Sequence, residues 1–269
     1  MSASATSNDW HHYLTTYHDA HPGVTERLLL RSSRHGRSHY DDIADSIRDS
    51  LVNTSEPIII DLGCGSAPLA RILAEDVPSA HWFGLDQSMG ELTWASQRHP
   101  GAVVRADMKC LPFRDASADA LVSTCAIMLA QPLGAVLTDA ARILKPGGTF
   151  IVSAPWPTKF RVADLAPLAR LAGGLGSTLG NPNDRALATW HPGAHLNGGL
   201  VVSEVTDDHW GVPLRTRSDV DDLMESLYLH GLSQNRIDRA HRWLTRWAGS
   251  RRRFPIAIRT WRLTRMELS

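Results

Sequence analysis

A chain of 269 residues is long enough for one α/β domain with an insertion, and 43% hydrophobic with 21% charged residues is a globular composition, not a disordered one. Its 28 basic side chains balance 28 acidic ones, so no overall field draws it to nucleic acid or an anionic membrane, and any such partner must be met by a local patch. No apolar run is long enough to span a bilayer, and the opening residues lack the basic and apolar blocks of a signal peptide. Cys64, Cys110 and Cys125 show no metal-ligand spacing and read as reduced thiols of a cytoplasmic protein.

Residues 1–9 are polar and are expected to be disordered. Residues 10–52 read as a helical segment. It carries His11, His12, His18, His21, His35 and His39 in no standard ligand spacing, so surface or cover histidines are expected and no metal. From Tyr40 the periodicity predicts a helix with Ile43, Ile47 and Leu51 on one face. Residues 53–154 then alternate strand and helix. The run Pro57–Leu62 is a buried strand that ends on Asp61, Gly63, Cys64 and Gly65 and opens onto a helix beginning at Pro68. Further strands are expected at Ala80–Asp86, Ala102–Arg105, Ala118–Ser123 and Thr149–Val152. Asp86 follows the glycines at about the distance of a ribose-binding acid, while a lone acid there also serves as a helix N-cap. The alternation predicts a doubly wound parallel sheet with ligands at the carboxyl ends of its strands.

Two ligand classes use such a turn. Dinucleotide enzymes place a pyrophosphate on G-x-G-x-x-G. Here Ala67 stands where a third glycine of D/E-x-G-x-G-x-G is usual, and Asp61 would repel a pyrophosphate but suits an ammonium group. Together with Ala106-Asp107-Met108 leading to Leu111-Pro112-Phe113, the segment 57–154 resembles the class I S-adenosylmethionine (SAM) dependent methyltransferases, in particular the small-molecule branch that includes the ubiquinone and menaquinone C-methyltransferases. The resemblance implies a Rossmann-like, seven-stranded sheet with a terminal antiparallel strand, an N-terminal helical cover and SAM as cofactor. It implies that Asp61, Gly63, Cys64 and Gly65 hold the methionine end, Asp86 and Gln87 the ribose, and Asp107 and Met108 the adenine, with Thr124 on the floor.

Residues 155–215, rich in glycine, proline and tryptophan, are expected to form an irregular lid. Within it His191 and His195 are candidates for a general base, and Trp156 and Trp190, with Tyr17 and Met128, for acceptor contacts; ordinary packing is the competing reading for each. A strand at Leu200–Val205 leads out of the lid, and residues 216–269 complete the same domain, with a helix capped by Ser218 and strands at Leu232–Ala240 and Phe254–Arg265. Arginines gather there, from Arg236 to Arg265, and read either as a solvated face or as a site for nucleic acid or an acidic carrier protein. The sequence thus points to methyl transfer from SAM to an O, N or C atom of a small-molecule acceptor. RNA or carrier-protein methylation, a SAM-binding protein that transfers nothing, and an NAD-dependent oxidoreductase are the alternatives.

Overall fold

The computed structural model describes residues 7–52, 54–99, 101–158, 160–176, 180–249 and 253–266. The chain opens with helices α1 (Ser7–Ala20), α2 (Val24–Arg31) and α3 (His39–Ser50). Residues 1–6 of the expected tail lie outside the described residues, whereas 7–9 form the first turn of α1. A reciprocal cap starts α3: the Ser38 hydroxyl accepts from Asp41 N–H, and the Asp41 carboxylate accepts from Ser38 N–H at 2.7 Å.

Strand and helix then alternate as β1 (Ile58–Leu62), α4 (Pro68–Asp76), β2 (His81–Asp86), α5 (Met89–Ser96), β3 (Ala102–Arg105), β4 (Ala118–Thr124), α6 (Leu133–Ile143) and β5 (Leu144–Pro155). The second half contributes α7 (Val162–Leu175), α8 (Asp184–Leu187), β6 (Leu200–Pro213), α9 (Arg217–Glu225), α10 (Gln234–Ala248) and β7 (Arg253–Arg265). One seven-stranded sheet results, in the order β3-β2-β1-β4-β5-β7-β6. β1 to β5 pair in parallel, and β7 is antiparallel to both β5 and β6. This is the Rossmann-like arrangement with a reversed terminal strand that the sequence predicted. β1 sits where the strand order reverses, so its carboxyl end faces the crevice in which such sheets bind ligands.

β1 earns the central place by composition. Ile59, Ile60 and Leu62 are fully buried between neighbours on both sides, as apolar side chains on a two-faced parallel strand are. A second apolar cluster joins Leu171 and Leu175 of α7 to Leu223 of α9, Leu244 of α10 and Leu28 of α2.

Three sequence expectations give way here. Residues 155–215 are not irregular, since α7, α8 and the edge strand β6 lie within them. Leu232–Ala240 is not a strand but a turn and the first half of α10. Ile237, Ala240, Leu244 and Ala248 recur at three- and four-residue steps, and α10 packs on α7 and α9. The cap of α9 is Thr216 and not Ser218: the Thr216 hydroxyl accepts from Asp219 N–H at 3.2 Å, and the Asp219 carboxylate accepts from Thr216 N–H at 2.8 Å.

The outer sheet is locked by tryptophan. Trp261 of β7 is fully buried, donates from Nε1 to the Trp190 carbonyl at 3.0 Å, and meets Trp156 and Trp190 edge-on at 5.5 and 5.8 Å. Trp261→Ala is expected to cost about 3–5 kcal/mol, read as a lower urea midpoint at unchanged slope.

Candidate functional site

At the carboxyl ends of β1, β2 and β4 lies a half-open cleft. Its floor is the turn after β1. Gly63 and Gly65 hold φ of 71° and 53°, and Ala67, at the N-cap of α4, adopts φ 59°. The amides of Gly63 and Cys64 both donate to the Leu85 carbonyl at 2.8 Å, and Gly65 N–H donates to Asp86 Oδ2 at 2.9 Å. The turn is therefore stitched to the end of β2. A Cβ at Gly63 would lie 2.5 Å from Ala126 Cβ and 2.6 Å from Met108 Cε. Gly63→Ala is expected to close the floor and to cost about 1–3 kcal/mol of stability with loss of ligand binding, read by thermal melting with and without ligand.

Of the cofactor residues named from sequence, Gly63, Cys64, Gly65, Asp86, Gln87, Asp107, Met108 and Thr124 line this one cleft. Asp86 closes β2; its Oδ1 accepts from Ser88 N–H at 2.9 Å, which fixes the carboxylate and leaves lone pairs open to the cleft. Asp107 accepts from Lys109 N–H at 3.0 Å and pairs with Lys109 Nζ at 3.2 Å. Thr124 Oγ1 is buried without a hydrogen-bond partner.

Asp61 is the anomaly of the site. It is 2% exposed, and its Oδ1 finds no hydrogen-bond partner. Burial, with the nearby Asp86 charge, pushes its carboxyl up to about 8. A buried carboxylate oxygen without a donor is costly and is a common mark of a site built for a ligand. Asp61 stands two residues before Gly63, which lines the cleft, and is not itself on the wall; a cation or donor reaching it from there would satisfy the oxygen, and the ammonium group of SAM has that chemistry. A pyrophosphate has the opposite. Such a donor set would suit SAM, with Asp61 toward the ammonium, the glycine turn allowing close approach, Asp86 toward ribose hydroxyls, and Asp107 with Met108 toward adenine.

The base and acceptor residues named from sequence are not in the cleft. His191 and His195 are exposed. His195 bridges to Val201 of the edge strand β6, which pairs with Thr264 beside Thr149, so it lies away from the central strand that carries Asp61. Trp190 and Trp156 pack on Trp261, and Met128 is 3% exposed in the core. Tyr17 donates its hydroxyl to the Glu225 carbonyl at 2.6 Å and faces an outer groove with Tyr13, His21 and His230.

Much of the remaining cleft wall comes from the cover. Leu14, Thr15 and His18 of α1, Thr25 and Glu26 of α2, Tyr40 of α3, Cys125, Leu129, Gln131 and Tyr228 complete the wall. Cys125 and Tyr228 hold φ of 55° and 47°, a strained conformation for side chains of their size that is often stored at ligand sites. Burial pushes the Cys125 thiol up to about 12, which makes it no nucleophile. Sequence reasoning missed His18 and its partner Glu91. Their pairing spans 73 positions and leaves no local pattern, although Glu91 at N3 of a helix capped by Ser88 was legible.

Residues 60–152 match the family described as Methyltransferase domain. Among relatives, a malonyl-[acyl-carrier protein] O-methyltransferase of Hahella chejuensis is 35% identical over 140 residues, 48% of this chain and 50% of that one. A fatty-acid O-methyltransferase of Mycolicibacterium smegmatis is 32% identical over 96 residues, 35% of each chain. The match therefore spans half or less of these relatives. In fold, the solved [4+2]-cyclase SpnF is similar with a TM-score of 0.55 at 18% identity, covering 99% of this chain and 98% of that one. The acid-and-glycine turn at the switch point of a sheet ordered β3-β2-β1-β4-β5-β7-β6 lies at the start of the segment that matches the Methyltransferase domain family.

Proposed function

We propose that this protein transfers the methyl group of SAM to an O, N or C atom of a small-molecule acceptor. The observation that carries the reading is the unpartnered Asp61 Oδ1 just before a glycine turn, with Asp86 at the end of β2 and Asp107 in the loop just past β3. SAM supplies an electrophilic methyl on a sulfonium, so positioning provides most of the rate. The chain's part is to hold: Asp61 binds the ammonium, Asp86 and Gln87 the ribose, and Asp107 and Met108 the adenine. The cover helices α1 to α3 exclude water from the acceptor side. The test is S-adenosylhomocysteine (SAH) formation from SAM in an extract. Label appearing in a small-molecule fraction supports the reading, and SAM binding without SAH formation contradicts it.

One observation favours a second reading. Arg236, Arg239, Arg242 and Arg246 are exposed along one side of α10, with no ion-pair partner among the described residues. Arg259 and Arg262 of the same run are consumed by Asp207 and Glu204 across the antiparallel β6–β7 pair, while Arg251 and Arg252 lie outside the described residues. A basic helix face suits an acidic carrier protein. Label recovered in protein would favour that acceptor.

A further inference from the structure

Resting on the methyltransferase reading, we infer that His18 is the general base of the reaction, oriented by Glu91, and that the acceptor is a neutral protic group, a phenol, hydroxyl or amine, and not a free carboxylate. His18 is the only histidine among the described residues that line the cleft. It lies near the end of α1, above the glycine turn, and its Nδ1 meets Glu91 Oε1 at 2.9 Å. Glu91 is 2% exposed and is itself held: its Oε2 accepts Gly23 N–H at 2.9 Å, and its backbone N–H donates to Ser88 Oγ at 3.1 Å. The neighbouring Asp19 fastens the same helix end, its Oδ1 accepting from the Ser88 hydroxyl at 2.7 Å and Gly90 N–H at 3.0 Å. The imidazole is therefore oriented from both chain segments.

With Nδ1 committed to a buried carboxylate as donor, Nε2 is the lone-pair nitrogen. This is the arrangement in which a carboxylate fixes the tautomer and stabilises the imidazolium once a proton arrives. A Cβ built on Gly65 would lie 3.8 Å from the Glu91 carboxyl, so the pair stands beside the turn that holds the cofactor. Burial disfavours the His18 charge, but the Glu91 hydrogen bond and charge, with Asp86 and Asp19 further off, outweigh it and raise the ring above its ordinary value. Tyr17 and Tyr228 pack against the ring at 6.1 and 5.5 Å.

The charge of the wall points to the acceptor. No arginine is among the described residues lining the cleft, and the one lysine, Lys109, is paired with Asp107 on the adenine side. The acceptor wall instead carries the acid Glu26, while the buried Glu91 is engaged by His18 and Gly23 N–H. An anionic carboxylate would meet like charge, whereas a neutral O–H or N–H would meet a base. In the step, a hydroxyl or phenol gives its O–H proton to His18 Nε2 and the pair so released forms the bond to the methyl carbon; an amine forms that bond with its own lone pair, and the methylated ammonium then gives a proton to Nε2. In both cases the pair of the broken S–CH3 bond stays on the sulfur of departing SAH. His18 ends as an imidazolium held by Glu91.

Two readouts test this. In the first, the His18 ring is titrated by NMR in the SAH complex. Titration that persists with SAH bound, and that moves to lower pH in Glu91→Gln, is expected. A ring that stops titrating when SAH binds overturns the assignment, because the cofactor then occupies Nε2. In the second, label is transferred from methyl-labelled SAM in an extract, and the product is treated with mild alkali. The label is expected to stay with the product as an ether or methylamine, and His18→Gln is expected to lower its rate about 10²- to 10⁴-fold with SAH affinity within threefold of wild type. Label released as volatile methanol reports a methyl ester and overturns the acceptor class. Weakened SAH binding with unchanged turnover at saturation overturns the base. Absence of SAH formation in every fraction sinks the methyltransferase reading itself, which the NMR result does not depend on.

Discussion

Asp61→Asn is expected to weaken SAH binding by about 10²- to 10³-fold while making the empty protein more stable. Removing one partner of a buried, hydrogen-bonded charge pair costs about 3–5 kcal/mol, because the other charge is left uncompensated. In the complex that other charge is the ligand ammonium. Without ligand the balance reverses: Asp61 is 2% exposed, its Oδ1 has no donor, and the nearest charge is the like charge of Asp86. An amide of the same shape removes the buried charge. The gain in stability is expected to be a few kcal/mol at pH 8 and to vanish near pH 4, since below about 4 the acid is protonated in the folded and unfolded chain alike. A purely structural Asp61 would give the opposite pattern, with lower stability and ordinary binding.

The second large effect is the pH dependence of that binding. The folded carboxyl of Asp61 sits at about 8, above its unfolded value. A raised acid contributes stability that is complete below the unfolded value of about 4 and is lost as the pH climbs through 8. For the ligand the sign is reversed, because the ammonium requires the ionised form. SAH affinity should therefore fall about fifty-fold from pH 8 to pH 6, as the proton competes for the site. At pH 7 binding should release close to one proton, visible as a dependence of the calorimetric heat on the buffer's ionisation enthalpy. Asp61→Asn should abolish that dependence. A binding curve flat between pH 6 and 8 would mean that the ammonium is held elsewhere.

Much of this architecture was legible because the first half of the chain is locally consistent. In β1 the run of isoleucines, the acid and the two glycines each state the same element, and Pro68 marks the helix that follows. The second half conflicts with itself. β6 is an edge strand whose burial pattern breaks up between Glu204 and His209, so neither alternation nor a continuous apolar run marks it. The first residues of α10 carry arginines that mask a helical stripe, although Ile237, Ala240 and Leu244 were spaced for one. In the site, strand-end acids were legible because topology alone brings them together. The acceptor wall was not, because it depends on α1 meeting α5 and on Tyr228 arriving from beyond α9. His191 and His195 drew attention through glycine and proline around them, yet that loop turns away to the far edge of the sheet to pair with β6.

The most direct test is calorimetric titration of the full chain with SAH and, separately, with NADH at pH 8, the wild type beside Asp61→Asn. SAH binding to the wild type alone, with no heat from NADH, is the predicted result. Binding of NADH without SAH, or SAH binding undiminished in Asp61→Asn, would contradict the assignment of this cleft.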